Sequence, residues 1–249
     1  MPEVTSLSVL ENSTSASVPV RDYVQRTFVP LSHVGHQWEM HSAVALTPAE
    51  ERTMVREPAA AIPESIAQRV GKVRLLLVPF IACLNSGDQV VFYQPKGEKH
   101  SAVWLENEAR TDLVLACRDL DAHDTGFEFL ASVAELLRSK LTPKEKEQYA
   151  QLLQEELWKG VAGEIDEEAN DAKQSLRKGQ SASPHRGVPF EDYCDISFVS
   201  TCAEYMHGLW HDVQIRLGSE HLPVAALRKR MILMTTMFPP NPGYRVFAE

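Results

Sequence analysis

Cysteine is scarce and badly placed for stapling. The 249 residues include four, Cys83, Cys117, Cys194 and Cys202, and no two stand in Cys-x-x-Cys spacing. That argues against a disulfide scaffold and predicts reduced thiols in a cytoplasmic protein. Basic charge is also short: 25 Lys and Arg against 34 Asp and Glu leave a net charge of −9. Phosphate binding draws its affinity from a basic surface, so nucleic acid is excluded as the main partner. No apolar run reaches the roughly 18 residues of a membrane span. The longest, 73–84, is broken by Arg74 and Pro79, which predicts a soluble protein with no membrane partner. Among the glycines, Gly71, Gly87 and Gly97 do not assemble into a phosphate loop or a dinucleotide turn, and Gly-x-Ser-x-Gly is absent. The first 20 residues have neither a basic segment nor a continuous apolar one, so they read as a disordered tail and not as a secretory signal.

What the chain does have is 44% hydrophobic residues, enough for one large domain or two small ones. The run 73–84 is too apolar for a strand with one wet face and suggests a central strand. Turn residues at 85–88, 95–98 and 106–111 then separate three further strands, at 89–94, 100–105 and 112–118. Short connections between four strands predict an antiparallel meander. Cys83 and Cys117, inside these runs, read as small buried hydrophobes.

From residue 121 the apolar period lengthens to between three and four. Thr47-Pro48-Ala49-Glu50, Thr125-Gly126-Phe127-Glu128 and Thr142-Pro143-Lys144-Glu145 each look like a capped helix start. A short helix over 62–70, a thin-striped surface helix from Glu164, a long helix over 190–217 and a last one over 224–238 complete the pattern. The stretch 179–187 reads as a flexible connection. Arg228, Lys229 and Arg230 read as a solvated basic face, and the acidic run from Glu164 to Asp171 as a solvated helix start. Tyr244 and Phe247 are expected to pack back on the helices. The predicted fold is α+β: a tail over 1–20, a region over 21–120 with the antiparallel meander of about four strands, and a bundle of about five helices over 121–249, either separate or packed with the sheet as one domain.

One constellation carries chemistry. On the long helix Glu204, His207 and His211 share one stripe at the flank of the apolar face, in Glu-x-x-His-x-x-x-His spacing. Imidazoles at i and i+4 can converge on one cation, and a carboxylate a turn earlier can ligate or orient a histidine. The remaining ligand is sought in Asp121-Ala122-His123-Asp124, so His207, His211 and His123 are the expected ligands of zinc or another divalent cation. Glu204 or Glu128 would be the base of a hydrolytic reaction in which bound water attacks. Glu164 and Asp166 are second-choice ligands. Position 208 is Gly, so the His-Glu-x-x-His peptidase pattern is absent. The competing reading is a solvated stripe on a non-catalytic scaffold or partner-binding module, whose partner is another protein, a small molecule or a second copy of the chain.

Overall fold

The structure, a computed structural model, describes residues 17–27, 29–85, 87–179, 190–216 and 218–247. Most of the expected tail and of the expected flexible connection lies outside the described residues. The fold is mixed α+β, and two compact units are evident: residues 1–59 with 71–129, and residues 60–70 with 130–249. No helix among the described residues is long and apolar enough to cross a membrane.

The first unit holds two sheets and not one meander. One sheet has the order β1 (Ser17–Pro19), β6 (Gly87–Val91), β5 (Phe80–Leu84), β7 (Lys99–His100), with antiparallel pairing throughout. The other has the order β2 (Ser32–Gly35), β3 (Trp38–Ser42), β4 (Val73–Val78), β9 (Thr111–Ala116), β8 (Ala102–Glu106). There β4 runs parallel to both β3 and β9. The meander expectation is therefore corrected. Proline has no N–H for a ladder and marks strand boundaries, and at Pro79 the run 73–84 splits into β4 and β5, which join different sheets. The partners of β4 also come from far along the chain, which local turn signals do not report. Residues 17–19, expected in the tail, form β1 against β6.

Every residue of β4 and β9 is buried, as parallel strands covered on both faces require. Val78, Ile81, Val90, Val114 and Ala116 meet Val20, Tyr23 and Val24 of α1 (Val20–Arg26) in one apolar cluster. Arg74 lies inside this packing. Its Nε is 2.6 Å from Asp112 Oδ1, and its other two nitrogens donate to the carbonyls of Thr27 and Val24, at 3.0 and 2.8 Å. Those are carbonyls at the C-terminal end of α1, which has too few backbone donors of its own there.

Local chemistry sets the helix starts. α2 (Pro48–Glu51) and α6 (Pro143–Trp158) open on Thr47 and Thr142, each with the reciprocal capping box and a proline in the first turn, as expected. Glu145 serves twice, returning the cap and taking both terminal nitrogens of Arg69 at 2.5 and 2.7 Å. α5 (Ala122–Arg138) begins one turn earlier than Thr125 suggests, because the Asp121 carboxylate accepts the Asp124 N–H at 2.8 Å and acts as the cap.

In the second unit α8 (Phe190–Trp210) packs against α6, α7 (Glu167–Gly179) and α9 (Val224–Met237). Its interior is ionic as well as apolar. Arg230, read from sequence as part of a solvated face, is fully buried and bridges two carboxylates. Its Nη2 is 2.6 Å from Glu156 Oε2, and its Nη1 is 2.6 Å from Glu164 Oε2. Lys173 of α7, also fully buried, donates to Glu164 Oε1 at 3.0 Å and to the Gly163 carbonyl at 2.8 Å. Tyr193 donates to Glu164, while Ser197 on α8 takes Arg230 Nη1 at 2.9 Å. Two cations and two carboxylates make a neutral set, the condition under which buried charge is tolerated. Gly163 makes the approach possible. Its φ is +66°, and a Cβ there would lie 2.2 Å from the His221 carbonyl oxygen. The backbone beside it bridges to the segment before α9, with Glu164 N–H donating to the Glu220 carbonyl at 3.0 Å.

Candidate functional site

The stripe singled out from the sequence lies at the C-terminal end of α8, on the second unit. The helix stops at Trp210, short of the expected 217, and Gly208 shows why. A Cβ at 208 would sit 2.6 Å from Val213 Cγ2, so the bare backbone lets the chain turn back onto the helix. Glu204 then locks that turn, its Oε1 accepting the Gln214 N–H at 2.8 Å. Gly208→Ala gains about 1 kcal/mol of helix propensity. It nevertheless is expected to destabilise the protein by about 1–2 kcal/mol net, because the overpacking it forces costs more. A urea midpoint and amide exchange at Gln214 measure this. An unchanged midpoint with Gln214 still protected would show that Val213 yields freely.

Glu204 and His207 are both buried, with His207 only 1% exposed. His207 Nδ1 lies 3.8 Å from Glu204 Oε2, a charge-pair distance rather than a hydrogen bond. His211 is one residue past the helix end but keeps the helical bond, its N–H donating to the His207 carbonyl at 2.7 Å. The His207 and His211 ring centres are 5.7 Å apart, and Trp210 lies beside both, at 5.9 and 4.3 Å. The structure thus places Glu204, His207 and His211 together, with one imidazole in the interior and the other exposed.

The remaining sequence candidates are on other elements. His123 is in the first turn of α5, in the first unit, with Nδ1 3.5 Å from Asp124 Oδ1. Glu128, also in that unit, is half-buried; burial, with the nearby Asp124 charge, raises its carboxyl above the ordinary range. Glu164 is committed to Arg230 and Lys173. Asp166 accepts the Ala169 N–H at 2.8 Å at the start of α7, a capping role.

A second cluster was not anticipated. Among the described residues, the His, Cys, Asp and Glu donors that approach within 4.8 Å of one another in a group of three are those of Cys83, Asp88 and His100, in the first unit. The α8 stripe does not bring three donors that close. Hairpin arithmetic contained part of the signal: Cys83 and Asp88 are five residues apart and pair directly across β5 and β6. His100 was beyond it, since β7 reaches β5 only through a longer loop.

Compared with known proteins, the chain matches no protein-family model, no curated protein and no solved structure.

Proposed function

We propose that the chain is a divalent-cation-dependent enzyme of hydrolytic type, holding zinc or a similar ion at the C-terminal end of α8. The observation that supports this is the imidazole pair. Zn–N bonds are about 2.0–2.1 Å, so an ion held by one nitrogen of each of two rings separates the ring centres by roughly 5–6 Å, and His207 and His211 stand 5.7 Å apart. Glu204 lies beside His207, its Oε2 3.8 Å from Nδ1, so a small rotation would let the carboxylate orient the ring. It is a positioning residue in this reading, since its other oxygen already holds Gln214. A cation so bound supplies a polarised water as nucleophile. The four unbridged thiols accord with a cytoplasmic setting.

The rival reading, a non-catalytic module, is favoured by the use of Glu204 to pin the chain after α8. Metal content separates the two. In protein purified without a histidine tag, His207→Ala and His211→Ala are each expected to carry one equivalent of metal less than wild type. Hydrolysis of a panel of ester, amide and phosphoester substrates should fall with it. Metal content identical in wild type and both variants would leave the module as the reading.

A further inference from the structure

We infer that Cys83, Asp88 and His100 form a separate cation site for zinc on the first unit, independent of the α8 reading. The site follows from strand register. Residues directly opposite in a ladder point to the same face, as do residues two apart on one strand. Cys83 is opposite Asp88, and Ile81 is opposite both Val90 and His100. Ile81, Cys83, Asp88, Val90 and His100 therefore share one face across three strands. Its inner end, Ile81 and Val90, is fully buried in the apolar cluster and fixes the strands. Cys83 and Asp88 form the next row outward, and His100, in the row of Ile81 on the flanking strand, brings the third donor beside them. The ladder also continues past β7, because the Cys83 N–H donates to the Glu98 carbonyl at 3.0 Å, so the backbone under the thiol is held from both sides.

The donor set is specific. The atoms lie within 4.8 Å of one another, and His100 Nε2 is 3.3 Å from Asp88 Oδ1. Around a tetrahedral zinc, with bonds of about 2.0–2.3 Å, ligand atoms are roughly 3.5 Å apart, so small side-chain rotations close the site without moving the strands. One sulfur, one nitrogen and one oxygen suit a borderline-soft divalent ion. Magnesium and calcium, which take oxygen donors, are poorly matched. The His100 side chain is 40% exposed, so the site is reachable from water, and three donors leave a fourth position open. Cys83 is partly exposed, whereas Cys117 and Cys202 are buried.

Cobalt(II) tests this directly on the full chain, as a spectroscopic stand-in for zinc. Titration of reduced, tag-free protein is expected to produce a thiolate-to-cobalt charge-transfer band in the near ultraviolet that zinc abolishes. Cys83→Ser removes the band, and His100→Ala and Asp88→Asn weaken cobalt binding. Loss of a mere outer-shell partner costs a metal site about 10–100-fold, so loss of the His100 ligand should reach at least about 100-fold. His207→Ala leaves the band intact, which separates this site from the one on α8. All three residues are at least partly exposed, and unchanged far-ultraviolet circular dichroism serves as the folding control. No charge-transfer band in wild type, or one that persists in Cys83→Ser, overturns the site. So does cobalt affinity unchanged in folded His100→Ala.

Discussion

Arg230→Ala is expected to destabilise the protein by about 3–5 kcal/mol, the range for removing one partner of a buried ion pair. The reason is what stays behind. Glu156 and Glu164 lie in the interior with Arg230 between them, and Lys173 reaches only Glu164. Without the guanidinium, Glu156 loses the charge that makes its burial tolerable. Arg230→Lys should recover part of the loss, because it restores charge but not the fork that serves two carboxylates. Urea denaturation followed by circular dichroism measures both, and a loss under about 1 kcal/mol in Arg230→Ala would show that the carboxylates reach water or other donors.

The same network sets an acid limit. Burial raises the Glu164 proton affinity, but Arg230, Lys173 and Tyr193 outweigh it and bring the carboxyl down to about 2. A depressed carboxyl stabilises the folded state above its unfolded value of about 4.5 and loses that contribution as pH falls from there towards 2. Glu145, brought down to about 2 against burial by Arg69 and Thr142, acts in the same direction. In Arg230→Ala the burial of Glu164 is less well compensated, so its carboxyl rises. The stability difference between variant and wild type should therefore narrow in acid.

The second large effect is expected in the first unit. Arg74→Ala removes the cation from buried Asp112 and the donors from the carbonyls of Val24 and Thr27. About 2–4 kcal/mol should be lost. This is less than for Arg230, because Arg110 stays 2.9 Å from the same carboxylate. Exchange of the α1 amides should accelerate more than the global loss predicts, since Arg74 ties that helix end to β4. Protection of α1 unchanged relative to the strands would show that apolar packing alone fixes the helix.

The features legible in the sequence were those with short-range causes. Thr47 and Thr142 cap because a hydroxyl, a proline and a glutamate fall within four residues, and such a motif works wherever it is placed. The α8 stripe was legible for the same reason, as helical spacing alone brings Glu204, His207 and His211 to one side. The extent of α8 was not: the helix ends at a contact between Gly208 and Val213, which depends on the path the chain takes afterwards. Arg230 and Glu164 read as solvated charges because burial is a property of partners, and Arg230 is 66 and 74 residues from the carboxylates that neutralise it. The donors of Cys83, Asp88 and His100 became a group only through the register of three strands.

Periodicity and local capping determined by themselves that this chain mixes sheet with helix, where most helices begin, and that two histidines share a helix face. Tertiary structure decided that the strands divide into two sheets at Pro79, that charges such as Arg230, Glu156 and Glu164 disappear into the interior, and which donor atoms meet. Local patterns are governed by interactions spanning a turn or two. The cost of burying a charge, and the convergence of ligands, depend on groups that only the folded path brings within a few ångströms.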